Sequence, residues 1–532
     1  MTWFSLPMTQ ADNKAAFADA AGAERWLAGQ PQANAPLMQA ELTRQIQSLN
    51  AFRMAPRERF KTLEALRKTI FAVNGECLRR FEHRALPLAP IEQDALDATR
   101  CLWRACAIGY LHCLRAVLDD DLFPAEFTAK TAHRALVALR MEQTSCYLGG
   151  REIDAEFWRN LHAIQASAEQ LRVTREPVTD RRLPETREST VSGQYAMSLL
   201  LHLSRPFELT RAQFFSATHC LARWREQAEI LRKADGGPTS YSIPLDLAQD
   251  HPTQDSGVPS GIPRWLSIGD VLRKIRKRLE ALEAGESPES LKLGSGISRE
   301  ASMVLLKTLA DHLTHPLPAL AVVPPDAPTA AVVVGLEAIH RLLGGKSLKA
   351  PVEVSSLNRR EIEQIALFGQ VAGDLDEQKA PSPEAWQIVD ASASDLRLSR
   401  PVGSGEARLS NKGLLAVRLP AQQGFALAAL TSLYLRHDGS LCAAARLLPG
   451  EAQPLVAQAR ERPMGQVSRQ PAFLLSAPET GGGRPSLIVP AGLPARALSI
   501  SLPQTLALRL SSCVERGSDY ERWTGEPLPP SE

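Results

Sequence analysis

The chain has 532 residues, of which 61 are Lys or Arg and 59 are Asp or Glu, so its formal net charge is only +2. At roughly 100–200 residues per domain, this length predicts about three domains, each large enough to bury a core. The balanced charge excludes the uniform basic surface with which dedicated nucleic-acid-binding proteins neutralise phosphates. We therefore expect no nucleic-acid polymer as a partner.

The sequence also allows predictions about membrane insertion and cellular location. No uninterrupted apolar run reaches the roughly 18 residues that cross a hydrocarbon core, which predicts no membrane insertion. The N-terminal stretch has no basic residue ahead of its apolar residues, unlike a secretory signal, so a cytoplasmic location is expected. The eight cysteines are too few for a disulfide scaffold in a chain of this length, and we expect reduced thiols.

Four of the possible metal ligands lie close together in the sequence, at Cys101, Cys106, His112 and Cys113. They contain no Cys-x-x-Cys pair, and no second pair follows at the distance of a zinc finger. The cluster therefore favours core packing, and we expect no metal site.

Apolar residues recur with the period of an α-helix through about the first 320 residues, which predicts a helical domain over residues 1–234. The clearest helix follows Pro206, where Thr210 and Gln213 form a capping-box pattern and apolar residues continue to Leu231. Residues 172–190 mix charges of both signs with prolines, and we interpret them as a solvated linker.

Residues 235–316 are predicted to be a linker followed by a helical segment. The stretch 235–264 is rich in Gly and Pro around one strand-like island, Tyr241–Leu247. The helix beyond it has a basic face formed by Arg273, Lys274, Arg276, Lys277 and Arg278. Glu280 and Glu283 stand at helical pairing distances from these cations, which favours a solvated face over a surface for an acidic partner or anionic lipid.

After about residue 317 the pattern changes to short runs of β-branched and small residues, which predicts an antiparallel barrel or sandwich. The candidate strands are Ala330–Leu336, Trp386–Asp390, Asp395–Leu398, Leu414–Leu419, Phe425–Tyr434, Ser440–Leu447, Ala472–Leu475, Ser486–Val489, Ala497–Leu502 and Leu506–Ser511. Asp438-Gly439 predicts a hairpin because this pair tolerates the positive φ of a tight turn. Residues 344–384 could be helix or strand, and we treat them as an insertion.

The familiar catalytic patterns are incomplete. Gly344-Gly345-Lys346-Ser347 ends like a phosphate-binding loop, but His340 stands where the first glycine of that motif is required. His312 and His315 are interpreted as the end of a helix that Pro316 stops. No nucleophile elbow and no His-Glu-x-x-His motif occurs. We therefore expect no enzyme and no catalytic residue.

One segment carries a family signal. Trp386 to Leu398 reads Trp-Gln-Ile-Val-Asp-Ala-Ser-Ala-Ser-Asp-Leu-Arg-Leu, an aromatic-led strand that ends in Asp390-x-Ser392. Together with the strands that follow, it resembles the PilZ family, whose small antiparallel barrels bind cyclic di-GMP in many bacterial proteins. Residues 330–340 resemble the first strand of such a barrel.

The resemblance implies an α+β multidomain protein in which an all-α N-terminal region precedes an antiparallel PilZ-like β-barrel with an additional β extension. The implied ranges are 1–234 for the helical domain, 235–316 for the linker and helical segment, 317–455 for the barrel with its insertion 344–384, and 456–532 for the C-terminal β extension and tail.

The resemblance also implies a ligand site. PilZ receptors use an Arg-x-x-x-Arg stretch before the first strand and an Asp/Asn-x-Ser-x-x-Gly turn, in which guanidinium forks and polar groups meet the ligand. This sequence has Asp395 where the glycine is expected, and residues 321–329 contain no arginine. The implied ligand-binding residues, with three arginines as substitutes, are Asp390, Ser392, Arg359, Arg360 and Arg397. Asp390 and Ser392 could instead only cap the turn between two strands.

The resemblance thus implies a non-enzymatic, cytoplasmic signalling or adaptor protein without a cofactor, with cyclic di-GMP as a possible ligand and a further protein as partner. In the alternative, the barrel is only structural and the chain is a ligand-independent scaffold for protein interactions. Its partners would then contact apolar helical faces that include Phe214, Phe215 and Trp224.

Overall fold

The computed structural model describes residues 4, 6–12, 14–31, 33–119, 123–234, 236, 241–253, 261–294, 296–315, 324, 326–345, 348, 382–461, 467–476, 485–493, 497–501 and 508–527. The chain divides into two compact units. The first comprises residues 1–84 and 88–320, and the second comprises residues 85–87 and 321–532. The predicted α+β class, with a helical region ahead of antiparallel sheets, is confirmed. The four-part division of the chain stays a prediction.

The first unit is mainly helical. Its helices are α1 Ala20–Ala28, α2 Ala35–Ala51, α3 Pro56–Leu78, α4 Pro90–Asp119, α5 Ala125–Leu148, α6 Ala155–Gln170, α7 Val191–Leu203, α8 Arg211–Trp224, α9 Gly269–Glu283 and α10 Arg299–Thr314. Side chains cap many of their N-termini, as Asp154 does for α6 and Ser298 for α10. Apolar residues of all these helices join one core, in which Leu66, Leu136 and Leu199 are fully buried.

α4 is long and apolar enough to cross a membrane, judged by length and composition alone, and no other helix in the described ranges has this property. Most of its apolar window is buried inside the first unit. The core helix of a folded domain passes the same test, because core helices and membrane helices are both apolar. The absence of membrane insertion therefore stays a prediction.

The expectation that residues 172–190 form a solvated linker is wrong. They contain an antiparallel hairpin, and Asp180 within it is only 1% exposed. Its strands are β1 Val178–Thr179 and β2 Glu188–Ser189. Arg67 of α3 and Arg134 of α5 donate to the Asp180 carboxylate at 2.8 and 3.0 Å. Burial of a carboxylate is tolerated where cations neutralise it, so these ion pairs hold the mixed-charge segment on the helices.

α8 begins as predicted but ends earlier. The capping box forms, with Gln213 N donating to Thr210 Oγ1 and Thr210 N donating to the Gln213 side chain. The helix stops at Trp224, and a 3₁₀ turn over residues 225–227 follows. The turn places Glu226 where it accepts hydrogen bonds from the backbone N and the hydroxyl of Thr190, at 3.0 and 2.8 Å. These bonds stabilise the start of α7.

A small antiparallel sheet follows α8 in the first unit. Its strands are β3 Glu229–Leu231, β4 Ser242–Asp246 and β5 Pro263–Ser267, in the order β3-β5-β4. The predicted strand-like island at Tyr241–Leu247 is confirmed as β4. Buried Asp246 accepts hydrogen bonds from the backbone N of Gly261 and Ile262, so it ties the end of β4 to the residues just before the central strand β5.

The second unit contains a closed six-stranded antiparallel barrel with the order β10-β11-β8-β7-β6-β9. Its strands are β6 Thr329–Val334, β7 Glu384–Ala391, β8 Asp395–Pro401, β9 Leu414–Arg418, β10 Ala426–Leu435 and β11 Ser440–Leu447. Gly439 has a φ of 78° between β10 and β11, which confirms the predicted Asp438-Gly439 hairpin. β6 ends before Gly335, whose φ of 89° starts the short helix α11 Leu336–Leu342.

A second antiparallel sheet completes this unit, in the order β15-β12-β13-β14-β17-β16. Its strands are β12 Ala452–Glu461, β13 Val467–Leu475, β14 Ser486–Pro490, β15 Ala497–Ser501, β16 Leu508–Arg516 and β17 Tyr520–Pro527. Leu414 and Leu427 of the barrel share a buried cluster with Phe473, Ile488 and Tyr520 of this sheet. The sequence pattern did not predict β12 or β17, because Pro454 and alternating charged residues disguise them.

Candidate functional site

The Asp-x-Ser motif lies at the hairpin that joins β7 to β8 on the barrel. A bulge between Ile388 and Asp390 shifts the register, so that Asp390 lies opposite Arg397. Leu396 and Leu398, on either side of Arg397, are buried, and alternation along the strand therefore puts Arg397 on the outer face. Asp390 is exposed and Arg397 is half-buried. Two of the predicted site residues are thus neighbours on the outside of the barrel.

Ser392 holds the turn of this hairpin. Its Oγ accepts hydrogen bonds from the backbone N of Asp395 at 2.9 Å and of Ser394 at 3.3 Å, and its own backbone N donates to Asp395 O at 2.8 Å. Asp395 stands in place of the expected glycine, with its carboxylate exposed. The turn-forming role that the sequence left open is therefore seen for Ser392. Within the described chain, the Asp390 carboxylate has no hydrogen bond, so it is available to a ligand.

Arg446 of β11 belongs to the same face, although the sequence did not single it out. It lies opposite Asp395, two residues beyond Ala444, which lies opposite Arg397. Both arginines therefore project from the same side of neighbouring strands. Arg446 is exposed, and its Nη2 lies 2.6 Å from Oε1 of Glu515 on β16. Only the register of β8 with β11 brings Arg446 to the hairpin, and no local motif could have indicated it.

Arg400 has a different role from Arg397. It is 1% exposed, and its guanidinium lies 5.0 Å from the centre of the Trp386 ring and 3.2 Å from Glu384 Oε2. It also donates to three backbone carbonyl oxygens, those of Pro401, Val402 and Ala407. Burial lowers the pKa of Arg400, partly offset by the Glu384 charge. Trp386 and Arg400 thus hold the barrel and its following loop together.

Two predicted site residues, Arg359 and Arg360, lie outside the described residues, as does most of the insertion 344–384. The structure therefore brings together Asp390, Ser392 and Arg397, and it adds Arg446. We call these four residues, with Asp395, the hairpin face.

The hairpin face has a definite chemical preference. Guanidinium forks bind phosphate oxygens or the O6/N7 edge of guanine bidentately, and a carboxylate accepts from the guanine amino group. The carboxylates of Asp390 and Asp395 repel a phosphate, whereas Asp390 can accept from a base. The face is therefore better suited to a guanine edge than to a phosphate.

The histidines at the end of α10 form structural contacts. His312 is buried, with Nδ1 2.9 Å from the backbone O of Ser204 and Nε2 3.3 Å from Glu208 Oε2. His315 is the C-cap residue of α10, and its Nδ1 lies 3.2 Å from Asp311 Oδ1. Both contacts match the interpretation of these residues as a helix end.

Cys101, Cys106, His112 and Cys113, which are close in the sequence, do not form a group that could hold a metal ion. Cys106 and Cys113 are buried, whereas Cys101 is exposed. Burial raises the pKa of Cys106 and of Cys113 to about 12. No group of three possible metal ligands comes together in the described portion of the chain.

The apolar surface expected for the scaffold alternative is smaller than predicted. Phe214 and Trp224 are buried in the core of the first unit, because they lie on the side of α8 that faces the other helices. Phe215 alone of the three is exposed, and the Arg211 guanidinium lies 5.2 Å from its ring centre.

Comparison with known proteins gives one match. Residues 20–235 match the family model described as the N-terminal domain of the cyclic-di-GMP receptor FimW. The matched residues run from the start of α1 to just beyond β3, and they cover less than half of the chain. The barrel lies outside them. No curated protein and no solved structure matches the chain.

Proposed function

We infer, from the match of residues 20–235 to the N-terminal domain of a cyclic-di-GMP receptor, that this chain is a receptor for cyclic di-GMP. The match is the observation that carries the proposal. In this view the chain is a non-enzymatic signalling protein that passes ligand binding on to a protein partner. A cytoplasmic location is supported by the cysteines, all eight of which are free thiols.

We propose that the hairpin face contacts a guanine of the ligand. Arg397 would donate its fork to the O6/N7 edge, and Asp390 would accept from the amino group. Asp390 is exposed and Arg397 is half-buried, and the bulge at Val389 sets them opposite each other. The contact needs no change in the strands, because both side chains already lie on the outer face.

The ion pair of Arg446 with Glu515 offers a way to transmit binding. It links β11 of the barrel to β16 of the second sheet, with 2.6 Å between Nη2 and Oε1. A ligand on the hairpin face would compete with Glu515 for the Arg446 guanidinium. Binding would then weaken one link between barrel and sheet, and a ligand acts by favouring the conformation in which it gains contacts.

Calorimetric titration of the full chain with cyclic di-GMP tests this site. Arg397→Gln removes the fork and should weaken binding about tenfold or more, since a charge-assisted hydrogen bond contributes roughly 1.5–3 kcal/mol. Arg418→Gln is the matched control, because Arg418 is an exposed arginine on β9 of the same barrel. Equal binding by Arg397→Gln and Arg418→Gln would contradict the assignment of the hairpin face.

A ligand-independent scaffold is the second candidate. It is favoured by the engagement of Ser392 Oγ in the turn and by the carboxylate of Asp395 where the PilZ resemblance implies a glycine. The Asp395→Gly variant separates the two candidates. In a receptor it removes a repulsive charge and should tighten cyclic di-GMP binding, whereas a scaffold should give no binding heat before or after the change.

A further inference from the structure

The first unit carries a compact group of positive charges apart from the barrel. We call it the α9 cationic surface and define it as Lys274, Lys277 and Arg278 of α9 with Arg223 of α8. The apolar side of α9 is buried in the core of the first unit through Val271, Leu272, Ile275 and Leu282. This packing fixes α9 against the 3₁₀ turn at 225–227 that follows α8. The cations are therefore held on a rigid helix.

The charges of this surface are not neutralised by carboxylates. None of its four cations forms an ion pair within the described ranges, and the pairing expected for Glu280 does not occur. Asp270 binds Arg273 instead, and Glu283 lies 3.8 Å from Lys307. Partial burial, with the positive charges of Arg278, Arg223 and Lys277, lowers the pKa of Lys274. The ion pairs with Glu280 and Glu283 that favoured a solvated face are therefore not seen in the described residues, although Arg273, Arg276 and Lys277 are exposed. The solvated face stays a prediction.

Buried hydrogen-bond donors without acceptors accompany these charges. The Nε of Arg278 is buried without a partner. Arg225, in the turn next to α9, is 1% exposed, and its Nε and Nη1 also have no hydrogen-bond acceptor. Burial and the charge of buried Arg140 lower the pKa of Arg225 to about 10. Glu185 and Glu226 are the nearby carboxylates, and Glu226 Oε1 lies 3.6 Å from Arg225 Nε.

Unpartnered donors on arginines are costly when buried, because each has lost water without gaining an acceptor. An anion with several oxygens at α9 would supply an acceptor to Arg278 and neutralise the like charges of Lys274, Lys277 and Arg223 around it. Phosphate has this chemistry, and its oxygens match the guanidinium fork of Arg278.

We propose that the α9 cationic surface binds the phosphate groups of a small nucleotide, which, resting on the proposed function, is a molecule of cyclic di-GMP separate from the one on the hairpin face. Its cations are confined to about one turn of α9 and the end of α8, so they cover an area suited to one or two phosphates. Asp270, Glu280 and Glu283 lie on the same helix and limit the positive field. None of the exposed large apolar side chains lies on α9, so the surface lacks the anchors of a membrane-binding helix.

The test uses the full chain and a triple variant, Lys274→Gln with Lys277→Gln and Arg278→Gln. The matched control is Arg276→Gln, which removes an exposed cation from the side of the same helix opposite to Lys274 and Arg278. In calorimetric titration with cyclic di-GMP, the unmodified chain should bind a molecule at this surface, and the triple variant should bind that molecule at least about tenfold more weakly, since one charged hydrogen bond corresponds to roughly a power of ten in the dissociation constant. The control should bind within about twofold of the unmodified chain.

A second measurement keeps this proposal separate from the proposed function. Thermal unfolding of the first unit, followed by ellipticity at 222 nm, is compared in sodium pyrophosphate and in sodium chloride of equal ionic strength. Pyrophosphate should raise the midpoint of the unmodified chain and of the control, but not of the triple variant. Unchanged cyclic di-GMP binding by the triple variant, with equal pyrophosphate stabilisation, would overturn the proposal even if the chain is a receptor.

If the unmodified chain shows no cyclic di-GMP binding but is stabilised by pyrophosphate through these three residues, the receptor function fails and the phosphate site stands. Binding to phosphatidylglycerol vesicles or to duplex DNA in preference to pyrophosphate and cyclic di-GMP would contradict the proposed small ligand.

Discussion

Asp180 allows a quantitative test of how the first unit is held together. Its carboxylate is buried and accepts hydrogen bonds from Arg67 and Arg134, which are themselves buried. Burial alone raises the pKa of Asp180, but the hydrogen bonds and charge of Arg67, with the charge of Arg134, lower it from 3.8 to about 2. This difference corresponds to about 2.5 kcal/mol of folding stability at neutral pH.

The Asp180→Asn variant removes this charge and leaves the two arginines without their shared counter-ion. We expect the free energy of unfolding to fall by about 3 kcal/mol, at the lower end of the range for breaking a buried ion pair. Urea unfolding followed by ellipticity at 222 nm measures this loss, because the long helices all lie in the first unit among the described residues. Glu188→Gln, an exposed carboxylate in the same hairpin, should cost less than about 0.5 kcal/mol.

The pH dependence gives an independent check. A carboxyl group whose pKa is lowered by folding contributes its full stability above its unfolded pKa and loses it as the pH falls through the folded value. The difference between the unmodified chain and Asp180→Asn should therefore be constant above about pH 5 and should shrink between about pH 4 and pH 2. A loss no larger than that of Glu188→Gln, or a difference that does not change with pH, would refute the role assigned to Asp180.

Three further predictions concern other contacts. A Cβ added at Gly193 would lie 2.0 Å from Glu226 Oε1, so Gly193→Ala should displace the Glu226 carboxylate that accepts from Thr190 and lower the free energy of unfolding in urea by about 1–2 kcal/mol. Gly75→Ala is the control and should be neutral or stabilising, because no atom lies within 4 Å of the added Cβ. Equal effects of the two substitutions would contradict this prediction. With a disulfide-exchange reagent at pH 8, exposed Cys101 should react quickly, but Cys106, Cys146 and Cys220 should not, since burial raises the pKa of each to about 12. Mass spectrometry identifies the modified thiols. Fast labelling of the three buried cysteines would contradict their burial. Ser392→Ala should lower the thermal midpoint of the barrel through its lost turn hydrogen bonds, by about 1 kcal/mol in stability, and an unchanged midpoint would deny this role.

Local patterns in the sequence predicted much of the fold. The Thr210 capping box and the Asp438-Gly439 hairpin depend on residues within a few positions, and both are present. The hairpin around Asp180 was misjudged, because its charge is neutralised by Arg67, 113 positions away in the sequence. The closure of the barrel likewise depends on pairing between distant strands, which periodicity does not report.

The candidate site was likewise predicted from local patterns only in part. Asp390 and Ser392 were singled out from a short motif within one hairpin, and the strand register places Asp390 opposite Arg397. Arg446 joins them only through the pairing of β8 with β11. The basic face of α9 was also recognised from the sequence, but the lack of ion pairs at Lys274, Lys277 and Arg278 in the described residues was not, because spacing along a helix shows which ion pairs are allowed and not which ones form.

Calorimetric titration of the purified full chain with cyclic di-GMP tests the central claim most directly, with GMP titrated as the control ligand. The proposed receptor function predicts saturable heat with one or two ligand molecules per chain, and much weaker binding of GMP. An absence of binding heat at high micromolar cyclic di-GMP, from a chain whose helices are folded by ellipticity, would contradict it.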